Sequence, residues 1–344
     1  MAARVFVTRI VPRPGIDRLR ECADVDVNES DIPLTTDELR AKAGRYDALV
    51  TLLTDQIDAS VLAAGRGRLR IVANIAVGYD NIDIDAASAA GIVVSNTPGV
   101  LTDTTADFAW TLLMGIARRT HEAQSFLRAG KYDGWGIMMM LGGDIHGATL
   151  GLVGFGRIGR AMAKRALGFD MRVLYYDPVA QAEDEARLLG AHRADLNTLL
   201  RESDFVSLHT PLCQETHHLI GKEQLEAMKP TAYLVNTARG PIVDEAALAQ
   251  GLHDREIAGA ALDVFENEPE VHPGLLELDN VLLTPHIASA TVATRTKMAT
   301  IAADNVIAVL EGREPLTCIN ADMLAHLRPP GPYVLAPIPC PDKR

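Results

Sequence analysis

The sequence predicts an α/β protein of two domains, each with a mostly parallel sheet flanked by helices, and with a cleft between the domains. Short apolar runs alternate with helical stretches over the first hundred residues, and the same alternation starts again at Thr149. The length of 344 residues is enough for two domains of ordinary size. The two halves share this architecture, but no sequence repeat relates them.

The first domain is predicted from five short runs rich in β-branched residues, which are separated by helix-forming stretches. The runs are residues 5–10, 25–27, 48–53, 71–75 and 92–94, and the helices are residues 17–22, 36–43, 58–64 and 85–90. Because short buried strands joined by helices form parallel sheets, this half should be a small α/β domain.

The second domain is predicted to begin with a long helix. Residues 102–119 follow the breaker Pro98-Gly99 and have apolar positions three and four residues apart. The further predicted elements are strands at residues 149–153, 171–176, 205–209, 233–236, 259–263 and 281–284, and helices at residues 161–167, 222–228 and 244–252.

One more helix, at residues 290–310, would return the chain to the first domain. The first domain is therefore predicted to be discontinuous, with residues 1–100 and 289–330, and the second to consist of residues 101–288. Residues 331–344 are a proline-rich tail, a composition that favours extended chain without a packed core.

Three glycines directly follow the apolar run at residues 149–153. Gly154, Gly156 and Gly159 have the G-x-G-x-x-G spacing, and a helical stretch follows them. Gly154 would allow a tight turn, Gly156 would let the backbone approach a pyrophosphate, and Gly159 would let the helix pack closely on the strand. The N-terminus of that helix would offer unpaired N–H groups and a partial positive charge to phosphates.

An acidic residue completes this pattern. Asp177 ends the next apolar run, 18 residues after Gly159. Its carboxylate could accept both hydroxyls of an adenosine ribose and would repel a 2′-phosphate, which favours NAD over NADP. The alternative is a tight turn without a ligand, since glycine-rich turns are common. The strand, the helix and the acidic residue follow one another at the spacing of a dinucleotide-binding motif, which favours the cofactor. We therefore predict that the second domain is Rossmann-like and binds NAD, and that the first domain has a Rossmann-like alternation of strands and helices.

The composition restricts the partners. The formal net charge is −12, and an acidic surface repels the phosphates of nucleic acids. The four cysteines form no C-x-x-C pair, which fits a reducing cytoplasm, and no apolar run is long enough for a membrane span. The adjacent rings of His217 and His218 should point apart, which disfavours a metal site there. We therefore expect a cytoplasmic protein that binds no nucleic acid, no membrane and no metal.

Polar residues follow four predicted strands of the second domain. In doubly wound sheets, ligands bind beyond the carboxyl ends of the strands, so these residues should share one rim. The titratable and charged candidates are His209, Arg239, Asp263, Glu266, Glu268 and His286.

A hydroxy acid dehydrogenase needs groups of this kind. An arginine can bind the substrate carboxylate through two hydrogen bonds, a histidine can exchange the hydroxyl proton, and a carboxylate can orient that histidine. Arg239, Glu268 and His286 could fill these roles. The residues alone do not distinguish between the two histidines or among the three carboxylates, and each of these side chains could instead be structural, in a salt bridge or a cap.

The chain resembles the D-isomer-specific 2-hydroxyacid dehydrogenases over roughly residues 4–320. The resemblance rests on the glycine motif and on further segments, namely AVGYDNID at 76–83, NTARG at 236–240, DVF at 263–265 with EP at 268–269, and TPHI at 284–287. Within the family, Trp135 and residues 168–176 are most similar to glyoxylate/hydroxypyruvate reductases.

The resemblance implies NADH-dependent reduction of small 2-keto acids, namely glyoxylate and hydroxypyruvate, to D-2-hydroxy acids. His286 would donate the proton to the keto oxygen, Glu268 would hydrogen-bond His286 and keep it protonated, and Arg239 would bind the carboxylate and polarise the carbonyl. The discontinuous domain would be a flavodoxin-like substrate-binding domain, and the other domain would bind NAD. The family also implies a homodimer built on the NAD-binding domain.

For the substrate, the resemblance implies contacts with backbone N–H groups near Val77 and Gly78, and Leu53 and Trp135 are further candidates for the pocket lining. The predicted cofactor residues, which include the glycine motif, are Thr105, Gly154, Gly156, Arg157, Ile158, Gly159, Asp177, Thr210, Pro211, Thr216, Thr237, Ala238, Asp263 and Ala288.

Alternatives exist within and outside this activity. Phosphoglycerate, D-lactate, formate and phosphite dehydrogenases share the fold and parts of the site, and corepressors that sense NAD and bind partner peptides share the fold. The intact set of Arg239, Glu268 and His286 favours an enzyme. Many NADPH-dependent glyoxylate reductases have a serine–arginine pair where this chain has Asp177-Pro178, so their cofactor preference is not carried over.

Overall fold

The computed structural model of the protein describes residues 2–179 and 183–326, so the tail predicted at residues 331–344 lies outside the described residues. The chain divides into two compact units, one of Met1–Leu101 with the chain from Ala290 onward, and one of Thr102–Ser289. Each unit contains one parallel sheet flanked by helices, which confirms the prediction of an α/β protein with two Rossmann-like sheets.

The first unit is built on five strands. They are β1 (Ala3–Val7), β2 (Ala23–Val27), β3 (Ala48–Thr51), β4 (Ile71–Asn74) and β5 (Val93–Ser95), joined by helices α1 (Arg13–Arg20), α2 (Thr36–Ala43), α3 (Ala59–Gly65) and α4 (Ile84–Ala89). Helices α13 (Val292–Leu310) and α14 (Ala321–His326) complete the unit. The strand order is β2-β1-β3-β4-β5 with every pair parallel.

Helix α13 packs on helix α1 and on strands β3 and β4 of this unit. Gly15 of α1 allows the close helix contact, because a Cβ atom at that position would lie 2.8 Å from the Cβ atom of Ala299. Helix α13 thus packs on elements of the first unit, to which it belongs.

The second unit is built on seven strands. They are β6 (Thr149–Val153), β7 (Arg172–Tyr176), β8 (Ala191–Arg193), β9 (Phe205–Leu208), β10 (Tyr233–Asn236), β11 (Gly259–Leu262) and β12 (Val281–Leu283). The helices are α5 (Thr102–Ala117), α6 (Thr120–Arg128), α7 (Arg157–Ala166), α8 (Glu183–Leu188), α9 (Leu196–Glu202), α10 (Lys222–Ala227), α11 (Glu245–His253) and α12 (Pro273–Leu276).

The order of this sheet, β12-β11-β10-β9-β6-β7-β8, contains a topological switch point. The chain runs from β6 outward to β7 and β8 on one side, and then returns to β9 on the other side of β6. A crevice for ligands forms where the connections diverge in this way, beyond the carboxyl ends of the strands. The glycine turn follows β6 and therefore lies at this point.

Three helix predictions differ clearly from the structure. The helix predicted at residues 17–22 spans Arg13–Arg20, since Pro14 is accommodated in its first turn. The helix predicted at residues 161–167 begins earlier, at Arg157, because the glycine turn leads directly into it. The helix predicted at residues 102–119 ends at Ala117, and the left-handed backbone of Arg119, with a φ of 52°, separates it from the unpredicted helix α6. Within the described residues, no helix is both long and apolar enough to cross a membrane.

Candidate active site

The glycine turn between β6 and α7 leaves open space at its middle glycine. Gly154 has a φ of +93°, and a Cβ atom there would lie 2.6 Å from the carbonyl oxygen of His209. A Cβ atom at Gly159 would lie 2.2 Å from the carbonyl oxygen of Gly154, whereas a Cβ atom at Gly156 would meet nothing within 4 Å. The outer two glycines are therefore needed for the fold, and the middle one exposes its backbone to a ligand.

Helix α7 begins directly after this turn, with Gly156 as its N-cap residue. The N–H groups of Arg157 and Ile158 lie in the first turn, where no earlier helical carbonyl can accept them. Because the space over Gly156 is open, these N–H groups and the positive end of the helix dipole can face an anion. The turn and the helix fit the pyrophosphate of a dinucleotide.

Asp177 follows β7 and links this strand to the glycine turn. Its Oδ2 atom accepts the Phe155 N–H at 2.8 Å, and its Oδ1 atom accepts the Val179 N–H at 2.9 Å. These bonds fix a carboxylate beside the turn. Each carboxylate oxygen has further lone pairs, so Asp177 can still accept ribose hydroxyls.

The other predicted cofactor residues lie in α5 or near the carboxyl ends of β9 to β12. Thr105 is buried in α5. Thr216 closes its own loop, since its Oγ1 atom donates to the Pro211 carbonyl at 2.7 Å and accepts the Cys213 N–H at 2.8 Å. The Thr237 Oγ1 atom is buried without a hydrogen-bond partner among the described residues. An orphaned hydroxyl at the end of β10 fits a bound ligand, because buried polar atoms are rarely left unpaired.

His286 and Glu268 form a hydrogen-bonded pair at the rim. The Nδ1 atom of His286 lies 2.9 Å from Oε2 and 3.2 Å from Oε1 of Glu268, and Oε1 also accepts the Phe265 N–H at 3.1 Å. Burial acts to raise the pKa of the Glu268 carboxyl, but His286, the Phe265 N–H and the charge of Arg239 together hold this pKa below its ordinary value. Glu268 is therefore a carboxylate at neutral pH.

Arg239 lies in the turn that follows β10, and Asn236 holds that turn. The Asn236 side chain accepts the Ala238 N–H at 3.0 Å and donates to the Arg239 carbonyl at 2.9 Å. Gly240 lies directly against the backbone of the connection that follows β11, because a Cβ atom at Gly240 would lie 1.9 Å from the carbonyl carbon of Phe265. Asn236 was not among the predicted site residues, although an amide directly after a strand could have indicated this role.

Asp263 fixes the loop that carries His286. Its Oδ1 atom accepts the Thr284 hydroxyl at 2.6 Å and the Ile287 N–H at 2.9 Å, and its Oδ2 atom accepts the Ala288 N–H at 2.7 Å. His286 has a left-handed backbone with a φ of 53°, which is unfavourable for this residue type. The three bonds to Asp263 supply the constraint that holds His286 in this conformation.

The geometry separates the candidates that the sequence left open. His209 lies at the end of β9, but its Nε2 atom is 2.9 Å from Ser207 Oγ, and burial lowers its pKa to about 3. It is therefore neutral at neutral pH and is not available as a cationic proton donor. Glu266 pairs with His218 at 2.8 Å, and Glu268 contacts His286.

The prediction that the rings of His217 and His218 point apart is wrong. The two rings stack, with centroids 4.1 Å apart and 30° between their planes. His218 has a left-handed backbone, with a φ of 52°, and therefore departs from the regular structure on which the prediction depended. Its Nε2 atom bonds to Glu266.

The predicted substrate residues lie in both units. In the first unit, Leu53 follows β3 and is half-buried, and Val77 and Gly78 follow β4 with partial exposure. In the second unit, Trp135 lies between α6 and β6, and it is 78% exposed in the single chain.

Comparisons with known proteins identify the family of this chain. A model of the NAD binding domain of D-isomer specific 2-hydroxyacid dehydrogenases matches residues 110–288. The glyoxylate reductase of Korarchaeum cryptofilum is 52% identical over 334 residues, which cover 96% of this chain and 99% of that protein.

Solved structures are similar over nearly the whole chain. The TT0316 protein from Thermus thermophilus has 43% identity and a TM-score of 0.84, covering 92% of this chain and 99% of that chain. The NADPH-dependent glyoxylate/hydroxypyruvate reductase of Sinorhizobium meliloti, in complex with NADP and malonate, has 34% identity and a TM-score of 0.83, covering 98% of this chain and 100% of that chain.

Proposed function

The chain belongs to the D-isomer-specific 2-hydroxyacid dehydrogenase family, and on this premise we propose that it reduces glyoxylate and hydroxypyruvate to 2-hydroxy acids with NADH. The chain shares the family and the dehydrogenase activity with relatives whose sequences are about 50% identical to it, including a glyoxylate reductase of 52% identity. The observation that carries the proposal is the hydrogen-bonded pair of His286 and Glu268 beside the charge of Arg239.

The roles of these residues follow from their hydrogen bonds. Because the Nδ1 atom of His286 is bonded to Glu268, the Nε2 atom is left for the substrate. On this proposal Arg239 binds the substrate carboxylate, and His286 donates its Nε2 proton to the keto oxygen. When bound, the reduced nicotinamide supplies the hydride to the keto carbon. Glu268 stabilises the imidazolium that precedes proton transfer.

We propose NADH as the preferred cofactor because of Asp177. Two backbone N–H groups fix its carboxylate next to the glycine turn, and a 2′-phosphate placed there would meet a negative charge. The related reductase of Sinorhizobium meliloti is NADPH-dependent, so relatives of this family differ in the preference.

We also propose a homodimer that forms through the second unit. Large apolar side chains that are half or more exposed are concentrated between residues 127 and 141, namely Leu127, Tyr132, Trp135, Ile137, Met138 and Leu141. Exposed apolar side chains concentrated in one segment favour a surface that a partner covers, and a second copy is the partner that the family implies. Sedimentation equilibrium tests this: Ile137→Asp should yield monomers, whereas Val292→Asp, at a residue 89% exposed in the first unit, should not.

The activity is tested by a screen of NADH oxidation with glyoxylate, hydroxypyruvate, pyruvate and phosphohydroxypyruvate, repeated with NADPH. Reduction of glyoxylate yields glycolate, which has no stereocentre, so the D configuration is tested only on the glycerate formed from hydroxypyruvate. We expect turnover of glyoxylate and hydroxypyruvate with NADH and formation of D-glycerate. Absence of turnover with all four acids would contradict the proposal.

A further inference from the structure

Side chains of the segment after β5 hold the loop that follows β4, residues 76–78. Thr97 donates its N–H at 2.8 Å and its hydroxyl at 3.2 Å to the Ala76 carbonyl. Asn96 donates its Nδ2 group to the Val77 carbonyl at 2.8 Å. Two consecutive carbonyl groups of the loop, those of Ala76 and Val77, therefore accept hydrogen bonds from the segment that follows β5.

A second asparagine, at the end of β4, holds the last residue of this loop. Asn74 is fully buried and donates its Nδ2 group to the Gly78 carbonyl at 3.1 Å and to Asn81 Oδ1 at 3.2 Å. Its Oδ1 atom accepts the Thr51 hydroxyl at 3.1 Å, and Asn81 donates in turn to the Leu52 carbonyl at 3.1 Å. These bonds tie the loop to the end of β3, so it is rigid on its inner side.

Because hydrogen bonds fix the carbonyl groups of Ala76 and Val77, the directions of the N–H groups in the same peptides are fixed as well. In a trans peptide, the carbonyl of one residue and the N–H of the next point in opposite directions. Because Thr97 holds the Ala76 carbonyl and Asn96 holds the Val77 carbonyl, the N–H groups of Val77 and Gly78 both point away from the segment that carries Thr97 and Asn96.

These two donors have no partner in the part of the protein that the structure describes. Within the described residues, neither the Val77 N–H nor the Gly78 N–H donates to an acceptor of the protein, and both residues are partly exposed. Adjacent unpaired N–H groups in a fixed turn form a concave seat for an anion. A flexible loop would have to be ordered at the moment of binding, whereas this one is held beforehand by side chains.

We infer that Asn96 is a positioning residue for substrate binding, which sets the Val77–Gly78 peptide so that both N–H groups can donate to one oxygen of the substrate carboxylate. The inference rests on the proposed function, since the anion is the carboxylate of the 2-keto acid. Asn96 is itself fixed, because its carbonyl accepts the Thr317 hydroxyl at 2.6 Å. Asn96 touches no reacting atom, so its effect should fall on substrate affinity rather than on the chemical step.

The test compares the KM for glyoxylate, the kcat and the inhibition constant of oxalate, a carboxylate inhibitor, in Asn96→Ala and Asn96→Leu. We expect the KM for glyoxylate and the inhibition constant of oxalate to rise about tenfold, as for a lost orienting hydrogen bond. The kcat at saturation and the Kd of NADH should stay unchanged. Asn28→Ala is the matched control, because Asn28 also donates its amide to a backbone carbonyl of this unit, that of Thr8 at 3.0 Å, and it should leave both constants unchanged.

The outcomes separate this inference from the proposed function. Unaltered KM and inhibition constants in folded Asn96 variants, or equal increases in Asn28→Ala, would overturn the role of Asn96 while the activity of the natural protein stands. If neither Asn96 variant folds, Thr97→Val removes one donor at constant shape, and we expect about a twofold to threefold rise in both constants. The same constants in Thr97→Val as in the natural protein would then overturn the inference.

Discussion

The Nδ1 atom of His286 lies 2.9 Å from the Oε2 atom of Glu268. This contact assigns one ring nitrogen to the carboxylate and leaves the other for a ligand. It also depends on the connection that follows β11, since Asp263 of that connection holds the loop of His286 and the Phe265 N–H holds the Glu268 carboxylate. The acid–base pair is therefore built from the connections that follow β11 and β12.

Glu268→Gln should separate the charge of this pair from its hydrogen bond. The amide still offers an oxygen to Nδ1, but the imidazolium loses its counter-charge, so we expect kcat to fall about 100-fold or more. Glu266→Gln is the control, since Glu266 pairs with His218. A kcat in Glu268→Gln equal to that of the natural protein would contradict the assignment.

The behaviour of the His286–Glu268 pair in acid follows from the lowered pKa of Glu268. A carboxyl group with a depressed pKa contributes its ion pair above its ordinary pKa, and the contribution is lost as the pH falls through the lowered value. The natural protein should therefore keep Glu268 as a carboxylate beside His286 as the pH falls through the ordinary pKa of a glutamate. Thermal unfolding of the natural protein and Glu268→Gln should differ in this range and converge in strong acid.

Asp177→Asn should relax the preference for NADH. The amide keeps the size of the side chain and can accept one of its two backbone N–H groups, and it removes the charge that a 2′-phosphate would meet. The ratio of kcat/KM for NADH over NADPH should therefore fall by about tenfold or more. Asp195→Asn is a matched control, because Asp195 is an acidic N-cap of α9 in the same unit. A natural protein that already prefers NADPH would refute the role proposed for Asp177.

His209 should make the folded state sensitive to acid. The unfolded residue takes up a proton near its ordinary pKa of 6.5, whereas the folded residue does so only near its lowered pKa of about 3. Between these values the unfolded state binds more protons, so the free energy of unfolding should decrease as the pH falls, by at most about 1.4 kcal/mol per pH unit.

His209→Gln removes this proton uptake and should flatten the dependence of chemical unfolding on pH below 6.5. His192→Gln, at an exposed position of β8, should leave the slope as it is in the natural protein. Equal slopes for the natural protein and His209→Gln would contradict the buried neutral state.

The local patterns of the sequence predicted most strands of the two sheets, because buried parallel strands are short apolar runs. They also predicted the turn after β6, because this type of turn requires glycines at fixed spacing. Helix α6 was missed, since the left-handed backbone of Arg119 that starts it leaves no sequence signal. The choice of His286 over His209 depends on burial and on partners that the fold alone brings together. The role of Asn96 depends on a contact with another loop and was likewise hidden.

The measurement that tests the central claim most directly is the steady-state reduction of glyoxylate by NADH in His286→Gln, with the Kd of NADH measured on the same samples. If the His286 imidazole supplies the proton, kcat should fall by about 100-fold to 10,000-fold, and NADH should bind as in the natural protein. A His286→Gln enzyme that reduces glyoxylate at the rate of the natural protein would contradict the account.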